Sequence, residues 1–278
     1  MIVSFQCPYC GVGCGLLWEE GRVRGNKKHP ATKGDLCKKP IYYPKVMKKG
    51  RLLRPLYRER KDQPFKEIDW QTAYEILKRK IESLQPDKLY FYLSGQLLTE
   101  DIYVANKLVK GFLKTNNIDA NSRLCMATPV SAYKLAFGSD GPPCSYEDLD
   151  DADCFVFAGS NAIWTHPVLF KRVLKRRLEE ENVKIVVIDP VKTETAKRAD
   201  IHIQLRAGTD TALFNSVLYV LYKKGWINTE FVKNHVEGFE EVIEECLKYP
   251  PELVSRIYTS LRNFTPLAKS SYLFGVRA

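Results

Sequence analysis

Glycine and proline are sparse in this 278-residue chain, at 16 and 15 residues, and no internal repeat is visible. That excludes collagen-like and low-complexity architectures. No apolar run approaches the ~18 to 20 residues that a bilayer-spanning helix needs. The first residues, Met1 to Cys7 (MIVSFQC), have neither the basic-then-apolar layout of a secretory signal nor a twin-arginine pair. The expectation is a cytoplasmic chain with no membrane contact. No G-x-G-x-x-G follows an apparent strand, which weakens a nicotinamide-nucleotide reading. Acidic residues are outnumbered, 33 Asp and Glu against 43 Lys and Arg, for a formal charge of +10. With 45% hydrophobic and 27% charged residues the composition is that of an ordinary globular protein, so disorder is excluded too.

Cysteine is where the sequence is rich. There are eight, and four of them fall in the first 37 residues as Cys7-x2-Cys10-x3-Cys14-x22-Cys37. Such crowding favours metal ligation over disulfides. A four-iron cubane needs one thiolate at each tetrahedral corner, and Gly11, Gly13 and Gly15 allow the backbone to wrap closely around it. A four-cysteine zinc site is the alternative, although structural zinc usually takes two separated C-x2-4-C pairs. Basic residues gather in the same region (Arg22, Arg24, Lys27, Lys28, Lys33, Lys38, Lys39), with a second group from Lys171 to Arg177. They read either as a solvated surface or as a docking face for an acidic electron carrier. A zinc-bound nucleic-acid protein is disfavoured, because aromatics do not interleave with the basic run as in a single-strand platform.

Beyond residue 55 the pattern becomes periodic. Tyr74, Leu77, Ile81 and Leu84 recur at helical spacing behind an Asp69 N-cap, Lys88 to Leu93 reads as a buried strand, and a helix is expected from about 100 to 114. Cys154 to Ala158 is a strand running into Gly159-Ser160-Asn161. A helix follows His166-Pro167 to about residue 181, and Val183 to Ile188 is the next strand, closed by Asp189-Pro190. This is a βαβ unit with parallel strands. Ile201 to Leu205 reads as a further strand, Asp210 as the cap of a helix over 211–224 stopped by Gly225, and Asn228 as another cap. Cys144, Cys154 and Cys246 read as buried structural thiols.

Cys-Pro-Tyr-Cys-Gly-Val-Gly-Cys-Gly-Leu (7–16) with Gly34-Asp-Leu-Cys37-Lys-Lys39 resembles the N-terminal signature of molybdopterin-dependent oxidoreductases, a family that includes nitrate reductases and formate dehydrogenases. Asn121-Ser-Arg-Leu-Cys125-Met126 and Phe137-Gly-Ser-Asp-Gly-Pro-Pro-Cys-Ser-Tyr-Glu-Asp-Leu149 are similar to the assimilatory nitrate reductase branch. The resemblance implies Cys7, Cys10, Cys14 and Cys37 as ligands of a [4Fe-4S] cluster and Cys125 as the thiolate on molybdenum of a molybdenum bis(molybdopterin guanine dinucleotide). It implies Lys39 as a fixed charge between cluster and pterin. Gln96 and Asn121 become cofactor contacts near the metal, and His166 matches a family loop histidine. For the guanosine diphosphate tail, the strand ends offer Gly159, Ser160 and Asn161 to phosphate, Asp189 to ribose or guanine, and Gly208-Thr209-Asp210 at a helix start. Formate dehydrogenases usually carry His directly after the metal-binding residue, and Met126 in that place points to nitrate.

The implied fold is α/β: a small N-terminal iron–sulfur module followed by Rossmann-like α/β domains with a parallel sheet, an incomplete counterpart of domains I to III of formate dehydrogenase and nitrate reductase. The expected divisions are the [4Fe-4S] module at 1–55, an α/β segment of a discontinuous domain at 56–120, a molybdopterin guanine dinucleotide-binding domain at 121–270, and the start of a truncated segment at 271–278. The implied activity is reduction of nitrate to nitrite in nitrate assimilation, with electrons from ferredoxin, flavodoxin or a NAD(P)H-oxidising subunit, and with a separate C-terminal chain as a further expected partner. Formate dehydrogenase or another molybdopterin oxidoreductase is the alternative within the class. An electron-transfer module without turnover is the alternative outside it.

Overall fold

The computed structural model describes residues 1–47 and 49–257. The strand expected at the end of the chain, and the segment division at 271–278, lie outside the described residues. Strands β1 (Ile2–Gln6), β2 (Gly15–Glu19) and β3 (Arg22–Gly25) form a sheet in the order β1-β2-β3. Helix α1 (Lys38–Val46) follows, and then β4 (Leu56–Tyr57) pairs antiparallel with β5 (Lys66–Glu67). Helix α2 (Trp70–Glu82) starts where predicted: the Asp69 carboxylate accepts from Thr72 N–H at 2.9 Å and from the Thr72 hydroxyl at 2.7 Å. Next come β6 (Phe91–Leu93), α3 (Thr99–Asn106), β7 (Ile118–Ala120), α4 (Ser122–Cys125), α5 (Ala127–Phe137) and α6 (Asp148–Asp151). The chain continues through β8 (Cys154–Ala158), α7 (Ala162–Thr165), α8 (Pro167–Glu179), β9 (Lys184–Ile188), β10 (Ile201–Ile203), α9 (Asp210–Lys223), α10 (Thr229–His235), α11 (Phe239–Cys246) and α12 (Pro251–Ile257). No helix among the described residues is long and apolar enough to cross a membrane.

Two compact units share the chain. The first gathers Met1–Val3, Trp18–Arg24 and Lys38–Ser145; the second gathers Ser4–Leu17, Gly25–Cys37 and the chain from Tyr146 onward. The core lies in the second. Its sheet runs β10-β9-β8, all parallel, with α7 and α8 in the connection from β8 to β9. Because β9 is the central strand, both of its faces are covered. Ile185 and Val187 pack with Phe155, Val173, Val183 and Ala196 on one side; Val186 and Ile188 pack with Ile203, Leu205, Leu213 and Val254 on the other. An unbroken apolar run is what a two-sided parallel strand requires, and that explains the Val183–Ile188 stretch. Phe170, on α8, closes the layer with its ring edge-on to Phe157 at 5.5 Å.

The first unit differs from expectation. Helix α2 forms, yet Tyr74 and Leu77 of its apolar stripe stand 59% and 57% exposed, because no other described element packs extensively against it. The predicted buried strand over 88–93 shortens to Phe91–Leu93, with Tyr90 and Tyr92 exposed; Pro86–Lys88 instead makes a 3-10 turn. Its pairing with β7 is parallel. The helix expected over 100–114 changes winding at Lys107, where a π-helical stretch to Phe112 begins and Leu113 N–H reaches back five residues to the Leu108 carbonyl at 2.9 Å. Cys144 is exposed rather than buried, while Cys246 is buried and Cys154 half-buried. Burial pushes both of the latter thiols up, with smaller contributions from Asp200 at Cys154 and Glu245 at Cys246.

Candidate functional site

Four thiols gather in the second unit. Cys7 and Cys14 are buried, and Cys10 and Cys37 are half-buried. Backbone bonds close the first turn: Cys7 N–H donates to the Cys14 carbonyl at 2.9 Å and Gly13 N–H to the Cys10 carbonyl at 3.1 Å. Two of the three predicted glycines are required there. Gly13 takes φ +58°, and Gly15 lies so close to His29 that a Cβ would sit 2.5 Å from the imidazole; Gly11 meets nothing within 4 Å. Burial first, and then the charges of Cys7, Cys10 and Cys37, push the Cys14 thiol up to about 11. Cationic metal reverses that repulsion, so the donor set fits a cluster that takes thiolates and releases protons. The thiols stand within electrostatic reach of one another. A cubane asks each thiolate to meet its own iron. Lys39 is exposed on the first turn of α1.

The first unit brings three predicted residues together. Parallel pairing of β6 and β7 sets the segments after both strands side by side, at the carboxyl edge where open α/β sheets bind ligands. Asn121 Oδ1 accepts from Gly95 N–H at 2.5 Å, which fixes the turn carrying Gln96 beside Asn121. Four residues on, Cys125 ends α4 with an exposed thiol whose Sγ lies 3.9 Å from the Ser122 carbonyl. Met126 follows it, 42% exposed. The thiol that the resemblance assigns to molybdenum thus sits at the end of a one-turn helix.

The second unit has its own carboxyl edge. Gly159, at φ +58°, donates its N–H to the Ile188 carbonyl at 2.8 Å, and Asp189 N–H reaches the Ile203 carbonyl at 3.1 Å. Gly159-Ser160-Asn161 and Asp189 therefore leave adjacent strands at the same end. Asp189 Oδ1 accepts from Val191 N–H at 2.8 Å, and its carbonyl meets His202 Nε2 at 2.9 Å. Asn161 turns inward: its Oδ1 accepts from the Thr195 hydroxyl at 2.8 Å. His166 is exposed, with Nδ1 2.9 Å from the Thr165 hydroxyl. At the third strand's exit Thr209 takes the N-cap position of α9 and donates its hydroxyl to the Arg206 carbonyl at 2.7 Å. Asp210 is the first helical residue, not the cap, because Thr209 already holds the non-helical backbone.

Residues 3–47 match the molybdopterin oxidoreductase Fe4S4 domain, and residues 51–267 match the molybdopterin oxidoreductase family itself. The chain belongs to the molybdopterin oxidoreductases. A nitrate reductase of Synechocystis sp. is 43% identical over 267 residues, covering 90% of this chain and 37% of that protein. An F420-dependent formate dehydrogenase subunit alpha of Methanocaldococcus jannaschii is 40% identical over 262 residues, covering 92% of this chain and 38% of that one. Acetylene hydratase from Pelobacter acetylenicus superposes with a TM-score of 0.76 at 24% identity, over 92% of this chain and 36% of its own, and so shares the fold. The chain spans little more than a third of the length of these curated relatives.

For this molybdopterin oxidoreductase, several residues that hold the candidate site carried no signal in the sequence. Thr195 lies in a polar stretch that reads as loop, yet it is fully buried and organises Asn161. Asp150 belongs to an acidic run and Arg172 to a basic helix; both look like solvated charges. The structure joins them through paired bonds of 2.5 and 2.6 Å. Only partner geometry, which needs the fold, distinguishes them from their neighbours.

Proposed function

We propose that this chain is the N-terminal portion of a cytoplasmic molybdopterin oxidoreductase that reduces nitrate to nitrite in nitrate assimilation. When bound, the [4Fe-4S] cluster at Cys7, Cys10, Cys14 and Cys37 supplies single-electron transfer, and molybdenum bis(molybdopterin guanine dinucleotide) at Cys125 supplies two-electron oxygen-atom chemistry. The chain's own side chains do the holding. Cys125 offers a soft, exposed thiolate, and Asn121 locks the Gly95–Gln96 turn beside it. Ser160 presents its backbone N–H to phosphate beyond the turn that Gly159 makes by bonding the Ile188 carbonyl, and the Asp189 carboxylate accepts from ribose or guanine. Gly208, Thr209, Asp210 and His166 border that tail, and Lys39 contributes a fixed positive charge.

The observation that carries nitrate over formate is Met126. Its thioether cannot take up a proton, so the position beside Cys125 offers no base for an oxidation that removes hydrogen, whereas oxygen-atom abstraction from an oxyanion asks for none. Identity of 43% to a nitrate reductase supports the same reading, and the formate dehydrogenase relative supplies the rival. The cytoplasmic placement rests on a cysteine usage given to metal ligation, which suits a reducing compartment. The basic residues favour an acidic electron carrier such as ferredoxin or flavodoxin, whose association weakens with salt. The uncovered apolar stripe of α2 supports completion of the first unit by further polypeptide.

The test is nitrite production with reduced viologen as donor, run beside formate oxidation with an oxidised dye, on protein purified anaerobically from cells grown on molybdate. Nitrite without formate turnover supports the assignment; formate turnover without nitrite replaces it with the rival.

A further inference from the structure

Cys37 reaches the cluster of thiols differently from the other three. Cys7, Cys10 and Cys14 share one backbone-bonded turn, but Cys37 arrives on a separate segment, residues 26–37. Within it His29 N–H meets the Asn26 carbonyl at 3.0 Å, Lys33 N–H the His29 carbonyl at 2.8 Å and Asp35 N–H the Thr32 carbonyl at 2.8 Å. Lys33 and Gly34 then take φ +47° and +92°, two consecutive left-handed residues of which the first bears a side chain. Such a turn opposes itself and persists where surrounding contacts over-determine it.

Those contacts come from α6 and α8. Arg172 donates through Nε and Nη2 to the two oxygens of Asp150 at 2.6 and 2.5 Å, and through Nη1 to the Ala31 carbonyl at 3.2 Å. Lys33 Nζ adds a bond to Asp150 Oδ2 at 2.9 Å, and Lys171 pairs with Asp35, two residues before Cys37. Exposed ion pairs contribute little, and the Lys33 and Lys171 side chains are 59% and 62% exposed. Arg172 is different: at 11% exposure, with a bidentate carboxylate and a carbonyl as partners, it makes the charge-assisted kind of bond that fixes geometry. With Ala31, Thr32, Lys33 and Asp35 it lines a cleft of about 360 Å³.

We propose that Arg172 is a positioning residue for the cluster: oriented by Asp150, it grips the Ala31 carbonyl and, with the Lys33 and Asp35 pairs, fastens the segment that delivers Cys37. This rests on the reading that the four cysteines hold a [4Fe-4S] cluster. Partners that orient metal ligands typically alter metal affinity by about 10- to 100-fold when removed, and Arg172 acts on the backbone that carries a ligand.

The experiment reconstitutes the full chain anaerobically with ferrous iron and sulfide, then follows loss of visible absorption under an iron chelator and records the electron paramagnetic resonance spectrum after dithionite reduction. Arg172→Met is expected to lose the cluster about tenfold faster than wild type, with a broadened, heterogeneous signal, and Arg172→Lys to recover part of both. The control is Arg177→Met on the same helix, which cuts bonds to the Arg198 carbonyl at 2.9 Å and Asp200 at 2.6 Å but none to the cysteine segment. It should keep the wild-type rate and spectrum. Equal acceleration in Arg172→Met and Arg177→Met, or a wild-type rate and spectrum in Arg172→Met, overturns the proposal. Should Arg172→Met fail to fold, Asp150→Asn removes the charge that orients Arg172 while keeping the side chain's shape: faster cluster loss than wild type supports the clamp, and an unchanged rate overturns it. A wild-type chain that takes up zinc and no iron overturns the cluster reading itself.

Discussion

Replacing Thr195 with valine removes a buried hub while leaving its shape almost unchanged. The side chain is fully buried; its hydroxyl donates to Asn161 Oδ1 at 2.8 Å and accepts from Ile163 N–H at 3.1 Å, and its backbone N–H reaches Asn161 Oδ1 at 3.3 Å. Valine can neither donate nor accept. The lost hydroxyl bond is worth about 1 kcal/mol net, and an orphaned N–H costs about 1 to 3 kcal/mol. Ile163 is half-buried, so water reclaims part of that second cost and the lower half of the range applies. The sum is about 2 to 3 kcal/mol, or roughly 30- to 150-fold in an opening equilibrium. It should be local, because the bonds tie the loop after β8 to residues 193–196. Hydrogen exchange by mass spectrometry reads it directly: amides over 159–165 should lose protection by that factor while those of β6 and β7 stay unchanged. A global denaturation midpoint would serve poorly, since two units share one chain. Protection within about threefold of wild type across 159–165 would refute the claim that Thr195 orders the loop assigned to phosphate.

Three further outcomes follow from the same structure. Phe170→Ala removes a ring that is 2% exposed and packed edge-on to Phe157, and should cost the second unit about 3 to 5 kcal/mol; hydrogen exchange of the β8 and β9 amides checks it, and a loss below about 1 kcal/mol contradicts the assigned core. At Asp150 the Arg172 bonds first, and Lys33 second, outweigh burial and hold the carboxyl well below the usual carboxylate range. A depressed folded value means that the clamp's contribution is complete above the ordinary carboxylate pKa of about 3.9 and fades only as pH falls below it. Exchange protection over 29–36, corrected for intrinsic rate, should therefore be level from pH 7 to about 5 and fall only in stronger acid; Asp150→Asn should be less protected across the whole neutral range. Cys125→Ser alters an exposed thiol and should change stability by less than about 0.5 kcal/mol. Iron content should persist while molybdenum and nitrite production are lost, and retained activity would remove Cys125 from the metal.

The second unit was largely legible because periodicity and burial agree there. A continuous apolar run marked β9, Gly and Asp marked the strand ends, and Asn228 caps where its side chain reaches an N–H three residues on; in the first unit Asp69 does the same. The gathering of Cys7, Cys10 and Cys14 was legible through spacing, since one tight turn is written in short-range sequence. Legibility failed where partners decide the outcome. The stripe of α2 carries a core pattern that no described element covers. Thr195, Asp150 and Arg172 derive their roles from bonds spanning 22 to 141 residues, which no local window contains. The change of winding at Lys107 likewise has no local marker.

Metal analysis of the anaerobically purified full chain tests the central claim most directly. Iron and acid-labile sulfide at about four each per chain, with zinc in trace and a low-temperature paramagnetic signal on reduction, is the predicted result for Cys7, Cys10, Cys14 and Cys37 around a [4Fe-4S] cluster. One zinc per chain, with no iron and no signal, would contradict it.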